Sequence, residues 1–444
     1  GAVDVLVVTQ DLWSLRLNSD FEIRDGKLTE LTLRPSENNF LGWRKQLGLL
    51  FELTQGSYAI GPLYRDPNVL GKRFVLELTA ALVFGRETGS GLEGSQSSMS
   101  FGYPLWSFET PWGAQISASH FDGVVRRFQG DDLLQFDDPN TPVIEEVPVE
   151  YGLRRFISEL SGVRQLGGNA KHRIFAGHRL QIQRPEVLPS FEGTNEVRDA
   201  FVDEFLPISE RSSLIFTRYQ FLLQDFAIYR NVDTFDLPED VRIGLDFTAE
   251  LGAASSALWS ERAFLQYLGQ VGYLHAFSDW FVRGQLSMSG QRQSDQFTER
   301  RTTIELSGVS PAVLGLFRTV VRARGLTVRN RISGDFLQIG GDSGLRGYPV
   351  GEYVGETAGV VNVELRMQPL TLDKLRYGGV LFYDVGHAAE SFGGLSAKHD
   401  VGVGLRLLIP ELGVNTLRID WAYPLNGSDS GVAGRFSLGL GQAF

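Results

Sequence analysis

Apolar and polar residues alternate along most of this chain with the period of a β-strand. Leu15, Leu17, Phe21 and Ile23 fall on one face, and Arg16, Asn18, Asp20 and Glu22 on the other, because successive strand side chains point to opposite sides of a sheet. Asp25-Gly26 supplies the positive φ of a tight hairpin turn, after which Leu31 and Leu33 resume the alternation. Further on, Phe74, Leu76, Leu78, Ala80, Leu82 and Phe84 alternate with Arg73, Val75, Glu77, Thr79 and Ala81. Trp280, Val282, Leu286 and Met288 oppose Arg283, Gln285, Ser287 and Ser289. Val361, Val363, Leu365 and Met367 oppose Asn362, Glu364, Arg366 and Gln368, and Leu417, Ile419, Trp421 and Tyr423 oppose Arg418 and Asp420. One face is apolar each time, and the pattern predicts about 16 to 19 strands.

A short echo repeats inside this pattern. Asn39-Phe40-Leu41-Gly42 with Arg44 matches Asn68-Val69-Leu70-Gly71 with Arg73 at an offset of 29 residues. Read as one strand plus its connection, that offset predicts about sixteen strands. Tyr58 to Tyr64, Phe101 to His120 and Phe297 to Arg329 lack clean alternation. Two segments break it outright. Arg126 to Glu150 is acidic and contains proline, and in Glu186 to Ser213 the residues Val197, Phe201, Val202 and Phe205 have helical spacing after Asn195, a residue suited to capping. Both read as long loops on one rim of a single domain.

The solvent of the outer face decides between a sandwich and a membrane barrel. Arg, Glu and Gln recur at mid-strand on the polar faces, as a wet lumen requires, and Trp106, Trp112, Trp280, Trp421 and Tyr423 sit near strand ends, as in interfacial girdles. No apolar run approaches the roughly 18 residues of a membrane-spanning helix, so helical membrane proteins are excluded, and a transmembrane antiparallel β-barrel is favoured over a soluble all-β sandwich. The net charge of −11 removes a general nucleic-acid binder. Cysteine is absent, which excludes disulfides, thiolate metal sites and cysteine nucleophiles. Of 42 basic residues six are Lys and 36 Arg.

Four candidates with chemical precedent fail on context. Gly89-Ser90-Gly91-Leu92-Glu93-Gly94 has dinucleotide-binding spacing, but Ser95 to Phe101 begins a strand where that site needs a helix. Gly341-Asp342-Ser343-Gly344 resembles a serine-protease nucleophile segment, yet none of the six His residues offers a base in a matching motif. His172 and His178, six residues apart on a strand, stand about 20 Å apart, too far for one ion. The acidic run Asp131 to Asp138 lacks the Gly-centred loop of a calcium site. No metal, cofactor or enzymatic activity is expected.

The last quarter holds the most informative constellation. Gly340-Gly341-Asp342-Ser343-Gly344-Leu345-Arg346-Gly347-Tyr348-Pro349 is a glycine-rich loop carrying an Arg and a Tyr around one Gly. In Phe382-Tyr383-Asp384-Val385-Gly386, the residues Phe382, Asp384 and Gly386 share the inner face if Leu381 and Val385 meet lipid, and Glu364 on the preceding strand points the same way. An arginine from a loop folded into the lumen would bridge both carboxylates with forked hydrogen bonds. Three unrelated lumen charges in an ordinary porin account for the spacing equally well.

Gly340-Gly341 through Leu345-Arg346-Gly347-Tyr348 resembles the signature loop of the BamA, TamA and FhaC superfamily, also called the bacterial surface antigen family. Phe382-x-Asp384-x-Gly386 is similar to its companion strand motif, Glu364-Leu365-Arg366 to its preceding strand, and Thr9 to Trp13 with Asn39 to Gly42 to the start of its barrels. The resemblance is loose over the whole chain and close over the last hundred or so residues. It implies a sixteen-stranded barrel in the outer membrane of a Gram-negative bacterium, a lumen loop locked by Arg346 against Asp384 and Glu364, a weak seam between first and last strands, and a role in inserting or translocating polypeptides. The last strand fits by itself: Phe436, Leu438, Leu440 and Phe444 alternate with Ser437, Gly439, Gly441 and Ala443, and an alternating end in Phe resembles an outer-membrane assembly signal. Gly439 and Gly441 would weaken pairing at the seam.

Residues 1–12 read as a short periplasmic segment and 13–444 as the barrel. POTRA modules, which usually precede such barrels, are either removed from this chain or naturally replaced by a separate periplasmic partner. Outer-membrane lipid and a polypeptide substrate are the other expected partners. A passive or gated pore for small solutes or lipids is the alternative function.

Overall fold

The alternating segments close into a ring. In the computed structural model, which describes residues 14–86, 91–138, 140, 144–332, 334–410, 415–427 and 434–443, the wall strands are β1 (Leu15–Arg24), β2 (Lys27–Phe40), β3 (Lys45–Leu53), β4 (Ser57–Asp66), β5 (Val75–Gly85), β6 (Leu92–Tyr103), β7 (Trp112–Arg126), β8 (Glu150–Leu166), β9 (Ala170–Glu186), β10 (Glu210–Leu223), β11 (Gly244–Ala254), β12 (Phe264–Ala276), β13 (Phe281–Gln293), β14 (Gln296–Val309), β15 (Phe317–Arg329), β16 (Thr357–Met367), β17 (Leu375–Ala389), β18 (Lys398–Leu408), β19 (Leu417–Pro424) and β20 (Arg435–Leu440). Each pairs antiparallel with the next, and β20 returns to β1. Closure leaves no free sheet edge around the ring, the condition for a sheet to cross a bilayer.

The barrel therefore has 20 strands rather than the expected sixteen. The difference has a physical source. Asn39–Gly42 and Asn68–Gly71 are both turns at the same end of the barrel, so the 29-residue echo spans two strands, β3 and β4. The stretches without clean alternation also belong to the wall, in β4, β6, β7, β14 and β15.

Burial follows the alternation. On β17, Leu381 is 56% exposed, whereas Phe382 and Asp384 are buried, Asp384 fully. Inner faces pair their charges across neighbouring strands, as in Arg65–Glu77 at 2.8 Å, Arg179–Glu159 at 2.8 Å and Arg322–Glu305 at 2.9 Å. Arginine's planar fork suits such cross-strand contacts, which accounts for its excess over lysine.

The connections sort into two ends. At the terminal end, where β1 begins and β20 finishes, turns are short except for 224–243, which carries a hairpin pairing Phe226–Arg230 with Pro238–Arg242. The opposite, loop end carries the long connections 127–149, 187–209 and 330–356. These share a small core of Val147, Val149, Val197, Phe201 and Phe205, with Phe336 packed against it, and are cross-linked by Arg127–Asp335 at 2.9 Å and Arg331–Glu204 at 2.8 Å. Helix α1 (Asn195–Phe205) supplies part of that core. Its cap is Thr194, whose side chain accepts from the Val197 amide, and not Asn195, which already lies within the helix.

The C-terminal alternation stops earlier than expected. β20 ends at Leu440, and Gly441, at φ 87°, turns the chain so that its amide donates to Thr416 O at 2.7 Å. Phe444, Thr9 to Trp13, and Gly89 and Ser90 lie outside the described residues.

Candidate functional site

Strand period alone puts Asn362, Glu364 and Arg366 of β16 and Phe382, Asp384 and Gly386 of β17 on the inner face. The connection after β15 packs against that face and delivers Arg346 to it. Arg346 Nε donates to Asp384 Oδ2 at 2.8 Å and Nη2 to Asp384 Oδ1 at 2.9 Å, a fork on a carboxylate. Its Nη1 donates to Glu364 Oε1 at 2.5 Å. The guanidinium also lies over the Phe382 ring, 3.5 Å from its centroid. All four side chains are buried, so the charges meet with little screening.

The remaining loop residues fit the arrangement sterically. Tyr348, fully buried, donates from its hydroxyl to His399 O at 3.1 Å, and the Gly347 amide donates to Asp400 Oδ2 at 3.1 Å. A Cβ on Gly347 would stand 2.7 Å from Asp400 Cβ, and one on Gly386 would stand 2.8 Å from Gly359 O. Gly340, at φ 139°, and Gly341, at φ 57°, take backbone conformations that glycine adopts without strain, and the Gly341 amide donates to Tyr348 O at 2.9 Å.

The cluster is larger than the motif. Asn362 Nδ2 donates to Gly344 O and to Asp384 Oδ1, each at 2.8 Å. Arg366 Nε donates to Glu364 Oε2 at 2.7 Å, Arg406 Nη1 donates to Asp420 Oδ1 at 2.5 Å, and Asp420 lies 3.6 Å from Arg346. Arg346, Arg366 and Arg406 thus face Glu364, Asp384 and Asp420 in balanced charge. Alternation places Asn362, Arg366 and Asp420 on the inner face; Arg406 and Asp400 have no motif to single them out. Arg366 Nη1 also donates to Val232 O in the 224–243 excursion, so the cluster touches the terminal end.

The same loop reaches the place where the ring closes. β1 and β20 share three residue pairs, Glu22 with Gly439, Ile23 with Leu438 and Arg24 with Ser437. Most neighbouring wall strands pair over eight residues or more, as β18 and β19 do. Asp25 holds the top of the seam, accepting from Arg435 Nε at 2.8 Å and from the Phe436 amide at 3.2 Å. Asp342 stands across it, accepting from Arg24 of β1 at 2.9 Å and from Arg418 of β19 at 3.3 Å. Among the predicted seam residues, Phe436 faces outward and exposed, Leu438 and Gly439 lie in the pairing, and Leu440 and Gly441 lie beyond it.

The rejected motifs are occupied with structural work. Ser343 Oγ donates to Gly340 O at 2.6 Å inside the loop. Residues after Gly91 form β6, not a helix. Among the described residues no group of three or more His, Asp and Glu is placed to hold a metal, and no helix is long and apolar enough to cross a membrane.

Residues 321–444 match the Omp85 superfamily domain. Comparison with curated protein sequences gives no match. Among solved structures, CdiB from Acinetobacter baumannii is 12% identical with a TM-score of 0.46, covering 98% of this chain and 61% of its own. BamA from Haemophilus ducreyi, solved lacking POTRA domains 1–3, is 11% identical with a TM-score of 0.44, covering 98% and 71%. OccK10 (OpdN) of Pseudomonas aeruginosa is 9% identical with a TM-score of 0.40, covering 97% and 98%. This chain thus spans less than two thirds of the CdiB chain.

Proposed function

We propose that this barrel, whose residues 321–444 match the Omp85 superfamily domain, is integral to a bacterial outer membrane, inserts or translocates polypeptides and releases them through the seam between β1 and β20. Short turns face the periplasm in such barrels and long loops face outward, so the terminal end receives the substrate. The loop from Gly340 to Pro349 keeps the seam shut: Arg346 seats it on the wall, and Asp342 ties β1 to β19.

The observation that carries this reading is the three-pair seam bridged by Asp342. The pore alternative has less support, because the loop core covers one mouth and the 224–243 excursion is anchored across the other. The chain's lack of cysteine allows a clean test. In Ile23→Cys/Leu438→Cys, whose positions are paired across the seam, oxidation in proteoliposomes should abolish insertion of a client barrel and reduction should restore it. Full insertion with the seam stapled would overturn the proposal, as would large steady currents indifferent to the staple.

A further inference from the structure

The 29-residue sequence echo is also a repeated conformation. Asn39 O accepts from the Gly42 amide at 2.8 Å and Phe40 O from Trp43 at 3.1 Å; Asn68 O accepts from Gly71 at 2.9 Å and Val69 O from Lys72 at 3.1 Å. In both turns a leucine, Leu41 or Leu70, sits at φ 53° and is followed by a glycine in the same region. That left-handed region disfavours a leucine, and asparagine or aspartate is its usual non-glycine occupant. Leu41 is 67% exposed and Leu70 92%. Strain and an apolar tip in water are both unfavourable.

We infer that these two tips are a binding surface for the anionic phospholipid of the leaflet at the terminal end. Their partner lies where the strands place it. β3 has 9 residues and β4 has 10, about the length that crosses the hydrocarbon, so the tips emerge at the headgroups. Trp43 is exposed on the first tip, and Trp106 of the next turn donates from its indole to Arg73 O at 3.1 Å, as tryptophans do at membrane interfaces. Lys45 is engaged with Asp66 at 3.1 Å, whereas among the described residues Arg44, Lys72 and Arg73 are exposed and stand in no ion pair. Leucine enters the acyl boundary, and the three cations meet lipid phosphates beside it. The turn between β14 and β15 repeats the strained leucine, Leu314 at φ 54° and 87% exposed, with no basic residue between Ser310 and Phe317, and serves as an uncharged anchor on the far wall. This inference rests on the barrel spanning a bilayer and not on its handling of polypeptides.

Quenching of Trp43 by brominated lipid tests it, with the Trp43 signal taken as wild type minus Trp43→Phe. In proteoliposomes of equal bromolipid fraction, brominated phosphatidylglycerol should quench Trp43 about threefold more strongly than brominated phosphatidylcholine. Arg44→Gln/Lys72→Gln/Arg73→Gln should equalise the two lipids, and Leu41→Asn/Leu70→Asn should weaken quenching by both. Equal quenching in the wild type would overturn the anionic preference. No quenching by either lipid would put the tip in water, as expected for a polypeptide-docking surface, and overturn the inference entirely.

Discussion

Arg346 and Asp384 meet as fork and carboxylate, with two parallel hydrogen bonds of 2.8 and 2.9 Å, although 38 residues separate them in the chain. A point charge on a flexible stem reproduces one of those bonds at most. Arg346→Ala removes one partner from each of two buried carboxylates, leaving Glu364 with Arg366 and Asp384 with Asn362, and should lower unfolding stability by about 3 kcal/mol, while Arg346→Lys should cost about 1 to 2 kcal/mol. Urea unfolding followed by heat-modifiable gel mobility measures both. Equal losses in the two variants would mean that charge alone, and not the fork, holds the loop.

Asp342 contacts strands on either side of the seam, Arg24 of β1 and Arg418 of β19. Its carboxylate is partly exposed, so its pairs with Arg24 and Arg418 should each contribute at most about 1 kcal/mol to global stability. Their leverage is local, because the seam has three residue pairs to lose. Asp342→Asn should leave the unfolding midpoint nearly unchanged and speed amide exchange at Glu22 to Arg24, with β8 and β9 unaffected. Uniform exchange along the wall would remove the special role of Asp342.

The excursion 224–243 makes a third expectation. Tyr229 packs with Leu274, Phe281, Val309 and Val320, and its hydroxyl donates to Phe277 O at 3.1 Å. Arg318 Nη1 donates to Arg230 O at 2.6 Å and Gln442 Nε2 to Thr234 O at 3.4 Å. Tyr229→Ala should cost about 3 kcal/mol of local packing and loosen the excursion. Replacing residues 226–242 by a Gly-Ser linker should raise bilayer conductance and its noise. Unchanged conductance would show that the loop end alone sets the barrier.

Alternation makes the inner face of β16, β17 and β19 legible, because burial on one side and lipid on the other impose a strict period on those strands. It carries no information on which charges pair, since a period of two fixes a side and not a height. The strand count fails for a related reason: an echo at 29 residues is compatible with one long strand or two short ones, and only the turn hydrogen bonds at Asn39 and Asn68 separate them. Asp400 and Arg406 fall on the inner face of β18 by the same alternation with Val401, Val403 and Leu405, but no motif there ties them to Arg346. Asp342 stands out in the sequence as part of a protease-like motif, while its contacts with Arg24 and Arg418 depend on closure of the ring, which local sequence does not encode.

Gly347 offers the sharpest separation of loop geometry from loop charge. Its φ lies outside the left-handed region, so alanine meets no backbone penalty there; the obstacle is contact, since a methyl group at this position would stand 2.7 Å from Asp400 Cβ and 3.1 Å from Pro424 N. Both neighbours belong to paired wall strands and yield little, so Gly347→Ala should cost about 1 to 3 kcal/mol. Gly359, on β16, is the matched control, since a methyl group there meets nothing within 4 Å and removes conformational freedom from the unfolded chain. Gly359→Ala should be neutral or stabilising by under about 1 kcal/mol. Limited proteolysis between Gly340 and Pro349 gives the readout: cleavage should accelerate in Gly347→Ala with every charge of the cluster intact. Protection equal to wild type would mean that the loop tolerates a displaced backbone and that its ion pairs alone hold it in place.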